Sequence, residues 1–246
     1  MIYEYKQNHK VSYSETDNKL DLSIIAGMNL AQDMMTDYFQ VIKSGNDINK
    51  TKHNAVWVLT KSRIHFIKHP KLFDELNCIC NTTLSKLARI GLESVFTNKD
   101  NNQMFIVSQE CCAIDFTTRK IRKINTISYP QDIEAVEPAN QDPYFKIDTI
   151  FEEKDYIEKT VVKSCDIDFN NHTNNVSYAR FIINTLDTNF LSSIDIKDFE
   201  LHYINECLEK DILKIYKVQK DENTIDFFIK TEQKDIAKAR IVYEKI

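Results

Sequence analysis

Two stretches of this 246-residue chain repeat one another, and that duplication constrains the fold more than any other feature. "VSYSETDNKLDLSIIAGMNLAQDMM" (11–35) lies over "VKSCDIDFNNHTNNVSYARFIINTL" (162–186), with Val11 on Val162 and Asp17 on Asp168, an offset of 151. "IHFIKHPKLFDELN" (64–77) lies over "LHYINECLEKDILK" (201–214), with His65 on His202, Phe66 on Tyr203, Asp74 on Asp211 and Leu76 on Leu213, an offset of 137. "FTNKDNNQMFIVSQE" (96–110) resembles "VQKDENTIDFFIKTE" (218–232); both split apolar runs with Asn/Asp turns, as hairpins do. Three matches in one order indicate an internal repeat. The smaller second offset gives the first copy a longer insertion between helix and sheet.

Each copy reads as a strand, an acidic turn, an apolar helix and then more strands. The first helix is predicted from about Leu22 to Ile42, with Ile24, Met28, Ala31, Met35, Phe39 and Ile42 at three- and four-residue spacing. Leu30, Met34, Tyr38 and Val41 widen its apolar surface, as in a helix buried on several sides. "AVWVLTKSRIHFI", "ELNCICNTTLSKL", "GLESVFTN" and "MFIVSQECCAIDF" read as the strands that follow. A buried helix wrapped by a curved antiparallel sheet is the hotdog architecture. The expected class is therefore α+β, a tandem double hotdog with a long central helix in each half. Residues 1–127 form the first domain and 158–246 the second. Segment 128–157 holds Pro130, Pro138 and Pro143 and reads as the linker.

Composition removes several functional classes. The net charge of −5 argues against nucleic-acid binding. Only Gly27, Gly45 and Gly91 are present, too scattered for a dinucleotide or phosphate loop. The start "MIYEYKQNHK" lacks a signal-peptide core, and no run has the length of a membrane span, so a cytoplasmic location is expected. The six cysteines (78, 80, 111, 112, 165 and 207) are then reduced thiols, those at 78, 80, 111 and 112 buried on strands. Their spacing fits no zinc site, and neither a metal nor a cofactor is expected.

The copies differ where chemistry would sit. Asn170 and His172 replace Lys19 and Asp21, and Glu206 replaces His69, whereas Asp17 and Asp168 are shared. An Asp, Asn, His and Glu set thus exists only in the second half. Asn and Asp before a helix are commonly N-caps, a role open to Asn174 or Asn175; the asymmetry favours function. The set suits hydrolysis of an activated acyl bond, which needs a base for water and donors for the oxyanion. Asp168 or Glu206 could orient or deprotonate water, His172 shuttle the proton, and Asn170 supply an amide. Backbone N–H groups around 174–177, at the positive end of the helix, are candidate oxyanion donors.

These residues resemble the acyl-acyl carrier protein thioesterases of the plant and bacterial fatty-acyl type. The resemblance rests on Asp168-Phe169-Asn170-Asn171-His172, then Asn174-Asn175-Val176, then Glu206-Cys207, with "AVWVLTKSRIHFIKHPK" (55–71) similar to the family's Trp-Val-Leu strand and proline turn. It implies a tandem double hotdog whose first domain holds the acyl chain and whose second carries Asp168, Asn170, His172 and Glu206 as the catalytic set. It also implies hydrolysis of fatty acyl-acyl carrier protein to free fatty acid and carrier protein, ending fatty acid synthesis. Thr173 departs from the family's usual apolar residue, and the first domain is too divergent to read chain length. An acyl-CoA thioesterase and a non-catalytic acyl-binding hotdog protein are the alternatives. Cys207 sits beside Glu206 on an expected strand, where adjacent side chains face opposite ways; Glu206 is the one expected to face His172.

The partners implied are a fatty acyl chain and the acidic carrier protein, with no nucleic acid and no membrane span. On an acidic enzyme the carrier protein requires a local basic patch. "RKIRK" (Arg119, Lys120, Arg122, Lys123) is the densest, with Lys61 and Arg63 as others. Monomer and homodimer both fit.

Overall fold

The computed structural model describes residues 1–148 and 151–246; positions 149 and 150 of the expected linker lie outside the described residues. The chain is α+β and divides into two compact units, Met1–Asp142 and Pro143–Ile246. No described helix is long and apolar enough to cross a membrane.

In the first unit the strands are β1 (Glu4–Lys10), β2 (Ala55–Phe66), β3 (Glu75–Lys86), β4 (Arg89–Thr97) and β5 (Gln103–Asp115). They pair antiparallel in the order β1-β3-β4-β5-β2. Helix α1 (Ile24–Val41) packs against all five. Ser23 caps it by accepting the Ala26 N–H, and ten of its eighteen residues are buried, so the wide apolar surface has its physical cause in that burial. Gly27 lets α1 lie close to the sheet, since a Cβ there would lie 2.6 Å from the Ile64 Cδ1 and push that side chain aside. Phe39 stacks on Trp57, Phe96 on Phe105, and the Tyr38 hydroxyl meets Thr82 Oγ1 at 2.7 Å.

Helix α2 (Asn46–His53) fills the longer insertion of the first copy. Its segment NDINKTKH has almost no apolar periodicity, and hydrogen bonds hold it instead. Buried Asn49 donates to the Ser44 carbonyl and accepts from the Ser128 N–H, and Trp57 Nε1 donates to the Ser44 carbonyl.

The second unit contains β6 (Tyr156–Val161), β7 (Ile194–Tyr203), β8 (Ile212–Asp221), β9 (Thr224–Lys230) and β10 (Asp235–Lys245). They pair antiparallel as β6-β8-β9-β10-β7. Counting strands within each unit, both orders are first, third, fourth, fifth, second. The helices differ. A long helix was expected in each half, but here α3 (Asn175–Ile183) has nine residues and is followed by α4 (Thr188–Ser192). The break has a local cause: Thr185 Oγ1 donates back to the Ile182 carbonyl, and Asp187 caps α4 by accepting the Phe190 N–H.

Part of the segment after β5 is tied to the first unit. The Glu134 N–H donates to the Met1 carbonyl and the Val136 N–H to the Thr82 carbonyl. Glu93, 4% exposed on β4, accepts the N–H groups of Ala139 and Asn140 and the Ser108 hydroxyl. Within the second unit the Phe145 N–H donates to buried Glu200.

Candidate active site

The two acidic turns are the same backbone object, bond for bond. In the first copy the Asp17 N–H donates to the Asp21 carbonyl and the Leu20 N–H to the Asp17 carbonyl. Asp17 Oδ1 accepts the N–H groups of Lys19 at 2.8 Å and Asp21 at 3.1 Å. In the second, the Asp168 N–H donates to the His172 carbonyl and the Asn171 N–H to the Asp168 carbonyl. Asp168 Oδ1 accepts the N–H groups of Asn170 at 2.8 Å and His172 at 3.4 Å. A left-handed residue closes each turn, Leu20 at φ 60° and Asn171 at φ 63°. Asp168 is therefore a turn former, as short carboxylates are when they bond their own backbone two residues on. Its counterpart does this in a copy without the histidine.

The turn presents His172 to the loop between β7 and β8. His172 Nε2 lies 3.3 Å from Glu206 Oε2, both half-exposed. A second tie fixes this approach: the N–H and the Oγ1 of buried Thr173 both donate to the Cys207 carbonyl, at 2.9 and 3.0 Å. The first copy makes only the backbone bond, Leu22 N–H to the Pro70 carbonyl, so the hydroxyl of Thr173 adds an anchor next to His172. Lys234 Nζ donates to the Glu206 carbonyl at 2.6 Å and holds the loop from β10's side.

His172 and Glu206 are thus brought together, and Asp168 reaches His172 through the backbone. Asn170 is half-buried and enters this network through its backbone N–H alone among the described residues.

One expectation is corrected, that Glu206 and Cys207 lie on a strand. Both lie on a loop, because β7 ends at Tyr203. Cys207 is fully buried, receives no approach from His172, and gives its N–H to the Tyr178 hydroxyl; burial pushes its thiol up to about 11. Of the four helix-start amides, those of residues 174, 176 and 177 are engaged within the turn itself. Asn174 caps α3 by accepting the Val176 N–H, its own N–H donates to the Asp166 carbonyl, and the Ser177 N–H donates to the Asn174 carbonyl. Among the basic candidates, Arg63 is 3% exposed and faces Asp142 at 3.8 Å, and Arg122 is spent on Asp115 and the His53 and Thr126 carbonyls. Arg119, Lys120 and Lys123 are exposed and Lys61 is half-buried.

Sequence reading placed the His172–Glu206 pair but not the part played by Thr173. The signal was its departure from an apolar residue at a buried position.

Comparison with known proteins now identifies the chain. The acyl-ACP thioesterase N-terminal domain model matches residues 3–128 and the C-terminal domain model residues 151–245. A palmitoyl-acyl carrier protein thioesterase of Arabidopsis thaliana is 23% identical over 225 residues, covering 85% of this chain and 54% of that protein. An oleoyl-acyl carrier protein thioesterase of the same plant is 20% identical, covering 91% and 65%. The chain therefore spans roughly half to two thirds of those relatives' length. Among solved structures, an acyl-ACP thioesterase from Bacteroides thetaiotaomicron superposes with a TM-score of 0.90 at 16% identity, covering 98% of both chains. A 12:0-ACP thioesterase from Umbellularia californica superposes at 0.82 with 16% identity, covering 99% of this chain and 98% of that one. With both of the family's domains matched in order along its length, the chain belongs to the acyl-ACP thioesterase family.

Proposed function

We propose that this protein hydrolyses the thioester of a fatty acyl-acyl carrier protein, releasing free fatty acid and carrier protein and so ending chain synthesis. The observation that carries the reading is the 3.3 Å pairing of His172 Nε2 with Glu206 Oε2, present only in the copy whose motif matches the family. The domain plan is two hotdog domains, 1–127 and 158–246, joined by 128–157. The first holds the acyl chain and the second the catalytic set Asp168, Asn170, His172 and Glu206.

Within that set Glu206 is the base and Asp168 the positioning residue, because one Asp168 oxygen is already held by two amides. Glu206 takes a proton from water as the water oxygen bonds to the acyl carbon. The carbon–sulfur bond breaks and His172, entering protonated, hands its proton to the departing sulfur. The proton on Glu206 then passes to His172 and restores the pair. Asn170 donates its side-chain amide to the oxyanion. Cys207 has no covalent role, since a thiol at about 11 is neutral at physiological pH.

Thiol release from acyl-carrier proteins and matching acyl-CoAs tests this. Wild type is expected to turn over the carrier-protein panel and His172→Ala to lose at least ~100-fold, the usual size of a general acid–base contribution. A preference for the CoA panel moves the substrate to acyl-CoA. Saturable acyl binding without thiol release makes the chain an acyl-binding protein.

A further inference from the structure

Phe169 stands inside the motif, between Asp168 and Asn170, and is 82% exposed. The fold does not ask for it. The turn is closed by Asp168 and left-handed Asn171, and the first copy closes the same turn with Asn18 in this place. Leu208 shows the same pattern on the facing loop. It is 52% exposed, and its counterpart in the first copy is Lys71, which is ion-paired with Asp21. Single exposed apolar residues are ordinary on a protein surface. These two are not scattered. Both are polar in the duplicate, and they flank His172 and Glu206 on the two segments that Thr173 joins.

Charge surrounds them. Lys163, Lys210 and Lys234 are exposed. The Lys210 N–H donates to the Val162 carbonyl, which brings Lys210 beside Lys163, and Lys234 reaches the Glu206 carbonyl. Of the nearby acids, Asp166 is buried and paired with Arg180, half-buried Asp211 accepts the Leu208 N–H, and Glu209 and Asp235 are exposed. Apolar anchors inside a charged rim are the anatomy of a protein interface, and a ring that stands so far into solvent suits a macromolecule better than a small ligand.

We infer that Phe169 and Leu208, ringed by Lys163, Lys210 and Lys234, form the landing surface for the acidic carrier protein that bears the thioester. The inference rests on the thioesterase reading for its choice of partner. The lysines attract the carrier over about a Debye length, ~8 Å at physiological salt, and the two apolar side chains fix it over the His172–Glu206 pair.

The test replaces both anchors with the residues of the first copy, Phe169→Asn with Leu208→Lys, in the full chain. An unchanged melting temperature shows that the turn is intact. KM for an acyl-carrier protein is expected to rise about 10-fold, about 1.4 kcal/mol, while kcat/KM for the same acyl group on N-acetylcysteamine stays within about 3-fold. Proportional losses on both substrates overturn the surface, since the residues then serve the chemistry; so does no loss on either. A loss shared by acyl-CoA also overturns it, because the contact would then be to the pantetheine arm. Titration with unacylated bacterial acyl carrier protein reads the surface without turnover, and Kd is expected to weaken about 10-fold. An unchanged Kd, or no binding to the wild type, sinks the proposal. Weakening by Lys120→Glu with Lys123→Glu in place of the anchor variant also sinks it. A wild type that binds the carrier but releases no thiol sinks the thioesterase reading and leaves the surface standing.

Discussion

Asp17 and Asp168 offer an experiment with its own control. Each half-buried carboxylate holds two backbone N–H groups through one oxygen, at 2.8 and 3.1 Å in the first copy and 2.8 and 3.4 Å in the second. Hydrogen bonds to a charged acceptor contribute up to about 1.5–3 kcal/mol when buried, so two half-exposed ones, one of them long, amount to about 1–2 kcal/mol per turn. Asp17→Ala and Asp168→Ala are expected to lower the melting temperature by similar amounts, about 2–8 °C for a chain of this size. Their effects on turnover should part. Releasing the His172 N–H lets the ring drift from Glu206, and a displacement of about 1 Å at a reacting group costs on the order of 100-fold. Asp168→Ala should lose that much kcat, whereas Asp17→Ala should stay within about 3-fold. Asp168→Asn keeps a side-chain acceptor and should regain most of the lost stability. Circular dichroism melts and thiol-release kinetics, run well below both transitions, give the two numbers. Equal loss of kcat in both alanine variants would refute the positioning argument, and so would a destabilised Asp168→Ala enzyme with full kcat.

Glu206→Gln removes the proposed base without much change of shape and should cost 100-fold or more in kcat, while Cys207→Ala should keep substantial turnover because His172 does not approach that buried sulfur; steady-state rates in the opposite order would overturn the assignment. Alkaline pH should destabilise the fold: burial pushes the thiols of Cys78 and Cys80 up to about 12 and that of Cys207 up to about 11. Between the ordinary thiol value near 9 and those raised values the unfolded chain has shed protons that the folded chain keeps. The stability these thiols contribute is therefore complete below pH about 9 and lost as pH rises, by roughly 1.4 kcal/mol per unit for each. Denaturant titrations at pH 8 and pH 10 check this, and a midpoint that does not fall would contradict it.

The strands were legible because apolar and polar residues alternate or run unbroken between Asn and Asp turns. The Asn98–Asn102 and Asp221–Asn223 turns fall where the sequence puts them. The acidic turns were legible because Asp17 and Asp168 recur at the same place between a strand and an apolar helix. What stayed hidden has no one-dimensional period. α2 is held by Asn49 and Ser44 through side-chain bonds rather than an apolar stripe. Arg63 alternates outward on β2 as a surface residue would, yet is covered. Glu206 follows a strand-like run, but β7 ends before it and the chain turns toward Thr173. The duplicate also gave information that a single copy lacks, because a side chain that changes on an unchanged backbone cannot be explained by the backbone.

Glu93 carries a consequence for how the gene can be divided. Proline content marks the stretch after β5 as a connector, but Ala139 and Asn140 supply the N–H groups that accompany a carboxylate 4% exposed in the first sheet. A recombination boundary at 128 would export those donors with the other parent and leave a buried acceptor to be matched by chance. A crossover after 142 keeps carboxylate and donors in one inherited block. Chimeras with distant relatives should therefore tolerate the later junction, and the length of chain between β5 and Asn140 is fixed by where Glu93 sits.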